Sequence, residues 1–375
     1  MKGHIRERSS GHWAIVIDVR DPQTGKRKRR WHSFQGSKRA AQIACAKLIA
    51  ELQSGNAVDP SRISVAEFLD RFERDWVALH TTARTTERYI DSLNHVRKAF
   101  GDIKLQATKA AHLAALYADL GRSGLATATI RHVHVVAHRA FKEAKAWGLL
   151  RDNPADMVKP PKMRAAEVKI LQAAEAKELL GKLRCGPLYM LASLALGTGA
   201  RRGELLALRW RDIDFDSRRL TIEQALEQTA EHGIRTKAPK TKHGRRTISL
   251  PAHIVAELRA HHAAQAEQRL ALGMGRAPED ATVLSGVDGK PLSPDTVSKQ
   301  WERTMDALGR PEITLHSLRH THASMLIASG MDILTISRRL GHANPTVTLN
   351  VYGHLIAGSD DKAAQIMEAA FGAVH

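Results

Sequence analysis

Two adjacent prolines near the middle of the chain, in Lys159-Pro160-Pro161-Lys162, constrain its folding more than any other feature. Neither carries a backbone N–H, and each pushes the residue before it out of the helical region, so no helix and no inner strand runs through this point. A chain of 375 residues is also long for one core, since domains usually hold about 100–200 residues. Separate folding parts are therefore predicted, with a stiff, basic boundary near 160–168. A polar stretch at 56–63, with Pro60 inside it, predicts a second linker upstream.

The charge is as uneven as the punctuation. The chain carries 57 Lys and Arg against 39 Asp and Glu, a formal +18. Residues 1–60 and 61–166 each hold an excess of +7, whereas 167–375 hold only +4. A charge of this size repels itself unless a polyanion neutralises it, and nucleic acid is the first candidate. The 43% hydrophobic content excludes a mainly disordered chain. Cys45 and Cys185 lack CxxC spacing, which argues against a disulfide framework or a cysteine zinc site. No run of 18 apolar residues exists and the first ten residues are polar, so neither a membrane span nor a signal peptide is expected. An intracellular protein of a reducing cytoplasm, with a polyanionic partner, fits these features.

Coarse periodicity divides the chain three ways. Trp13–Val19 and Lys26–Phe34 read as strands around the turn residues Asp21-Pro22-Gln23-Thr24-Gly25, and a helix capped by Ser37 follows to about Leu52. Lys26, Arg27, Lys28, Arg29 and Arg30 lie together on or beside the second strand, flanked by Trp13 and Trp31. They suit either a charged edge that discourages aggregation or a strand laid against a DNA groove. Four helices are predicted at 64–79, 82–100, 109–121 and 126–147, with Arg84 and Arg88 among the basic residues on outward faces. The remainder is expected to be mainly helical. Its strands are predicted at 218–224, 233–237 and 245–250, and a tail helix at 360–371. The predicted class is α+β multidomain. It comprises a small β-sheet-plus-helix module over 1–56, a helical bundle over 63–160 and a mainly α domain over 168–375, with a small three-stranded antiparallel sheet.

Five local patterns in the last domain carry chemistry. Thr198-Gly199-Ala200-Arg201-Arg202-Gly203-Glu204-Leu205 sets a guanidinium at a helix start after a glycine turn, a good place for a phosphate. Lys240-Thr241-Lys242-His243-Gly244 forms a basic hairpin tip between predicted strands. In Leu315-His316-Ser317-Leu318-Arg319-His320, His316 and Arg319 share a helix face, where an imidazole and a guanidinium can clamp a phosphate and move a proton. His316 and His320 are also neighbours, but a metal would need a third ligand and a HExxH-type glutamate is missing. Leu340-Gly341-His342 reads as a helix end before an Asn-Pro turn, and Tyr352 follows ten residues after His342. Taken singly, each pattern has a plainer reading: a surface arginine, a solvated turn, a half-buried tyrosine.

Taken in order, arginine, hairpin lysine, HxxR, GH and tyrosine, the set resembles the tyrosine recombinases, the phage-integrase type of site-specific recombinase. The motifs TGARRGELLALRW, KTKHGRRTISL, LHSLRHTHAS and LGHANPTVTLNVYGH carry the resemblance over about 168–356. It implies a catalytic set of Arg201, Lys242, His316, Arg319, His342 and Tyr352, with Tyr352 the nucleophile. It also implies a helical core-binding (SAM-like) domain and an N-terminal arm-type DNA-binding module. The implied reaction cuts and rejoins double-stranded DNA through a 3′-phosphotyrosyl link, integrating or excising a phage or mobile element, with no cofactor and no metal. The arginines and His342 would hold the phosphoryl oxygens, Lys242 would protonate the leaving 5′ oxygen and His316 would be the base. The implied partners are recombination-site DNA, three further copies in a synaptic tetramer and an accessory directionality factor. Two other readings stay open at this stage: a non-catalytic DNA-binding regulator, and a type IB topoisomerase.

Overall fold

The computed structural model describes residues 2–20, 27–53, 60–163, 169–239, 244–353 and 359–371. The chain divides into two compact units, Met1–Arg164 and Ala165–His375.

The first unit opens with an antiparallel sheet in the order β1 (Lys2–Ser9), β2 (His12–Arg20), β3 (Arg27–Gln35), followed by α1 (Lys38–Gln53). The period-2 alternation of β2 sends Ile15, Ile17 and Val19 against Cys45, Leu48 and Ile49 of the helix. Asp18 and Val16 point the other way, opposite Arg29 and Trp31 of β3. No strand was predicted over the residues of β1. Its single large apolar residue, Ile5, gives it almost no strand signal, and pairing along β2 from Lys2↔Asp18 onward makes it a strand.

A separate core holds the helical part of this unit. It is built from α2 (Val65–Phe72), a π-turn (Glu73–Val77), α3 (Ala78–His80), α4 (Ala83–Phe100), α5 (Ala110–Arg122) and α6 (Thr127–Ala146). Ser64 starts it with a capping box: its hydroxyl accepts from the Glu67 N–H while the Glu67 carboxylate accepts from the Ser64 N–H. Phe68, Phe72, Leu93, Val96, Val133 and Phe141 are fully or almost fully buried at its centre. Burying an aliphatic or aromatic side chain of this kind contributes about 1.5–3 kcal/mol.

The second unit begins with α7 (Ala173–Leu183), α8 (Tyr189–Thr198) and α9 (Arg202–Leu206). The strands are β4 (Ile213–Asp214), β5 (Arg219–Ile222), β6 (Ala225–Thr229), β7 (Gly233–Lys237) and β8 (Arg246–Ser249). Helices α10 (Ala252–Ala271), α11 (Pro294–Ala307), α12 (Leu315–Ala328), α13 (Ile333–Leu340), α14 (Pro345–Tyr352) and α15 (Ser359–Phe371) complete it. A three-stranded antiparallel sheet is present, but its members are β4, β5 and β8. The strand at 233–237 instead pairs with β6 in a hairpin of its own. The sequence hid β6 because Glu227 and Gln228 interrupt its apolar pattern; Glu227 is buried there by Arg235 and Lys237.

Two helix ends prepare the site. Gly199 closes α8 at φ +66°, and a Cβ there would lie 2.6 Å from the His322 ring and 2.7 Å from Leu340 Cδ2. Gly341 closes α13 at φ +69°. Both are left-handed caps that glycine adopts without steric cost. Helix α14 replaces the turn expected at Asn344-Pro345. The Asn344 side chain accepts from the Thr346 N–H and Pro345 fills the first helical position, so these residues start a helix instead of breaking one.

Candidate functional site

Helix α12 is the spine of the site. Thr314 caps it, its hydroxyl accepting from the Ser317 N–H at 3.1 Å, and the helix then presents His316, Arg319 and His320 on adjoining faces. Arg319 is 2% exposed. Its guanidinium donates to Gly199 O at 2.6 Å, to Leu340 O at 2.9 Å and to His342 Nε2 at 2.8 Å. Two of these acceptors lie at the carbonyl ends of α8 and α13, where the helix dipole is negative and favours a cation. Burial, reinforced by Arg201, pushes the Arg319 pKa down to about 9, and the group stays a cation at neutral pH.

Arg201 stands at the start of α9. Its side chain donates to Glu204 Oε1 at 2.9 Å and to Gly341 O at 3.3 Å, and 43% of the side chain remains open. Glu204 is the buried hub beneath it. Arg246 donates to both of its oxygens, at 2.7 and 3.3 Å, and also to Arg339 O at 2.6 Å. Burial alone would raise the Glu204 pKa, but the Arg246 and Arg201 partners outweigh it and hold the carboxyl below its usual range. Arg339 donates to His322 Nε2 at 3.0 Å and to Gly197 O at 3.0 Å. Among the described residues, Arg201 and Arg246 thus share the one buried carboxylate of Glu204, while Arg319 and Arg339 are seated on backbone carbonyls and histidine nitrogens, so cations outnumber it. That excess suits an anion.

Three imidazoles, His342, His320 and His322, are kept neutral. Burial, with Arg319 next in weight, pushes His342 down to about 4. Because Arg319 donates to its Nε2, the hydrogen-bond network assigns the ring proton to Nδ1, which donates to Thr348 Oγ1 at 2.8 Å. Burial and the neighbouring His316 push His320 down to about 4 as well, and burial with Arg339 does the same for His322. His316 is the exposed member, and desolvation of part of its ring, then Arg319 and Arg201, lower its pKa. It lines a cavity of about 410 Å³ together with Arg201, Arg202, Trp301, Thr314 and Arg319. A second cavity of about 420 Å³ lies on the other side of Arg201, against Lys237, Gly244 and Gly341.

Tyr352 ends α14 with its ring 2% exposed, packed with Ala323, Ile327, Ile336 and Leu340. Its hydroxyl lies 2.7 Å from Nδ1 of His320, and burial pushes its pKa up to about 12 against the opposing pull of Arg319.

The structure thus brings Arg201, His316, Arg319, His342 and Tyr352 into one constellation around α12. Lys242 and Lys240 lie outside the described residues, and Lys237 is paired with Glu227. The phenol bonds His320, whereas the sequence reading had assigned a base role to His316. Glu204, Arg246, His320 and Thr348 were missed as site residues. For the first the signal was its place three residues after Arg201. For His320 it was its place one turn after His316. Arg246 and Thr348 gave no separable signal.

Of the residues expected to meet DNA, Arg27 and Arg29 are exposed on the open face of the N-terminal sheet within 3.8 and 3.4 Å of Asp18. Trp31 on the same face is 54% exposed, with Arg8 over its ring at 5.7 Å. Lys26 lies outside the described residues, as do the side chains of Lys28 and Arg30. Arg84 and Arg88 are exposed on α4, Arg84 within 3.2 Å of Glu87. No helix among the described residues is long and apolar enough to cross a membrane, and no cluster of metal-ligating side chains occurs among them.

The phage integrase family model matches residues 163–358. A XerC-like tyrosine recombinase of Caldanaerobacter subterraneus is 25% identical over 96% of this chain and 96% of its own. The ICEBs1 integrase of Bacillus subtilis is 26% identical over 97% and 99%. Among solved structures, the Tn1549 transposon integrase in complex with a circular intermediate DNA superposes with a TM-score of 0.69 at 20% identity, over 82% of this chain and 99% of that one. A lambda integrase dimer bound to a core site gives 0.59 at 21% identity, over 92% and 93%.

Proposed function

The chain belongs to the phage integrase family, and from that premise we propose how its cationic site carries out the family's reaction. The protein is a tyrosine-type site-specific DNA recombinase of mobile elements, a strand transferase that cuts and rejoins DNA. DNA is its partner, and it works as an oligomer. The observation that carries the assignment of roles is the position of Arg319. It is fixed by two helix-end carbonyls and His342, one residue before the histidine that holds the Tyr352 hydroxyl.

Tyr352 attacks the scissile phosphorus. The Oη–P bond forms, the bond to the 5′ oxygen breaks, and the energy of the phosphodiester is kept in a phosphotyrosyl link. Arg201 and Arg319 offer guanidinium forks to the phosphoryl oxygens as charge grows there, and His342, accepting from Arg319 through Nε2, holds that guanidinium in place. Losing one such donor should slow cleavage roughly 10²–10³-fold. His316, open to the cavity, receives the phenol proton through His320, whose ring lies between it and the Tyr352 hydroxyl. Lys242 on the hairpin protonates the leaving 5′ oxygen. The fixed guanidiniums supply the charge that a metal would otherwise bring.

Residues 168–375 are the catalytic domain in this reading, 63–160 a core-binding domain that meets DNA through Arg84 and Arg88, and 1–56 an arm-type module presenting Arg27, Arg29 and Trp31. Four copies assemble in the synapse, as in the lambda integrase tetramer bound to a Holliday junction. A directionality factor biases integration against excision, in the cytoplasm of a bacterial host. The test is a nicked duplex carrying the junction sequence that flanks the gene. Wild-type protein should become covalently attached to DNA and Tyr352→Phe should not; adducts that persist in the variant would remove Tyr352 as nucleophile.

A further inference from the structure

We propose that His320 is a positioning residue for the nucleophile: its Nδ1 holds the Tyr352 hydroxyl and fixes where the phenol oxygen and its proton point. This rests on Tyr352 being the attacking group.

The geometry is specific. Nδ1 and Oη are 2.7 Å apart, with the two rings tilted at 59° and their centroids 5.6 Å apart. On its other side the His320 ring meets His316 edge-on, at 87° and 4.5 Å between centroids. One imidazole is thus wedged between the residue that faces the cavity and the residue that attacks. Among the described residues His320 is the hydrogen-bond partner of this hydroxyl; Ala323, Ile327, Ile336 and Leu340 pack around it with apolar groups, and Arg319 acts on it through its charge. A buried phenol without a partner is unfavourable, so His320 is what makes this placement of the hydroxyl stable.

The direction of the bond matters. If the phenol donates, Nδ1 must carry a lone pair and the ring proton must sit on Nε2. The reverse arrangement would put an N–H against the oxygen lone pair that attacks phosphorus and leave the phenol proton without an acceptor. His316 and Arg319 beside the ring, together with its burial, disfavour a second proton on it, so the lone pair is available at neutral pH. The phenol is equally reluctant to ionise in advance. Attack therefore proceeds from the neutral, hydrogen-bonded phenol, and its aim depends on the bond to His320.

Two substitutions separate aiming from packing. His320→Phe keeps the ring volume and loses the acceptor; His320→Asn loses volume and keeps a polar atom near the Nδ1 position. Each full-length variant is given the nicked duplex described above, and first-turnover formation of the covalent complex is measured beside DNA affinity. His320→Phe should be slower by about tenfold, the worth of one hydrogen bond at the reacting atom, with affinity unchanged. His320→Asn should return to within about threefold of wild type. Wild-type rates in both variants, faster cleavage by His320→Phe, or a better Phe than Asn variant would each overturn the proposal. Tyr352→Phe run alongside keeps the two ideas apart. Adducts in that variant sink the nucleophile, whereas a dead Tyr352→Phe with an unimpaired His320→Phe sinks only the role of His320. Should both histidine variants misfold, nitrogen NMR of labelled imidazoles in the intact protein decides the matter. An Nε2-protonated His320 whose Nδ1 signal moves in Tyr352→Phe supports the proposal, and an Nδ1-protonated ring refutes it.

Discussion

Glu204 and Arg246, 42 residues apart in sequence, form a two-pronged ion pair in which each side chain is only 6% exposed. The same carboxylate anchors Arg201. Replacing it with glutamine leaves a buried guanidinium without its counter-charge and loosens the arginine above. Glu204→Gln should lower stability on the order of 3 kcal/mol, read as a shift in the urea midpoint. Covalent-complex formation should fall even at temperatures where the variant remains folded. An unchanged midpoint would mean that solvent reaches the pair.

Thr348 is fully buried and accepts the proton-bearing Nδ1 of His342. Thr348→Val keeps the shape and removes the acceptor. His342 can then carry its proton on either nitrogen, and first-turnover cleavage should slow by about five- to tenfold. Thr348→Ser should restore it. A valine variant as fast as wild type would show that the tautomer of His342 has no bearing on the rate.

The buried histidines set an acid limit. His322 is 6% exposed, accepts from Arg339 and has its pKa pushed down to about 4, against an ordinary value near 6.5. The native state therefore binds fewer protons than the unfolded chain between these values. Its contribution is complete above about pH 6.5 and is lost as the pH falls towards 4, roughly 3 kcal/mol in all. His320 and His342 shift the same way and add less, because their rings are partly exposed. The melting temperature should decline steadily over this window. A flat profile between pH 7 and 5 would contradict the neutral assignment.

The open face of the N-terminal sheet can be tested through salt. If Arg27 and Arg29 meet phosphates, each change to glutamine should weaken binding to arm-site DNA about equally across sequences. It should also reduce the slope of log K against log salt by about 1. Slopes that stay unchanged would return both arginines to their role beside Asp18.

Legibility followed the physics of each signal. The helices at 82–100 and 173–183 were readable because their apolar residues recur at helical spacing between clear stops. Of the six candidate residues, the five that fall among the described positions meet around α12, and they were legible as a set only through the family resemblance, since each alone had a plainer reading. What stayed hidden was set by tertiary contact. Lys2–Ser9 becomes a strand through pairing with β2. Glu227 is a strand residue because Arg235 and Lys237 neutralise it across the hairpin. Asn344-Pro345 carries both a turn signal and a helix-start signal, and only the burial of Thr348 and Tyr352 decides between them. His320 and Thr348 matter through a single contact each, and contacts between distant segments leave no trace in local spacing.

The main-chain oxygens that seat Arg319 and help to hold Arg201 do not depend on which side chains surround them. Gly199, Leu340 and Gly341 contribute carbonyls, so the wider neighbourhood can drift while the guanidiniums keep their seats. A relative of almost equal length shares only about one residue in four with this chain, and carbonyl seats of this kind tolerate change on that scale. The fold also sets where such drift must halt: at the side-chain-free residue 199, where a single methyl group would strike both His322 and Leu340.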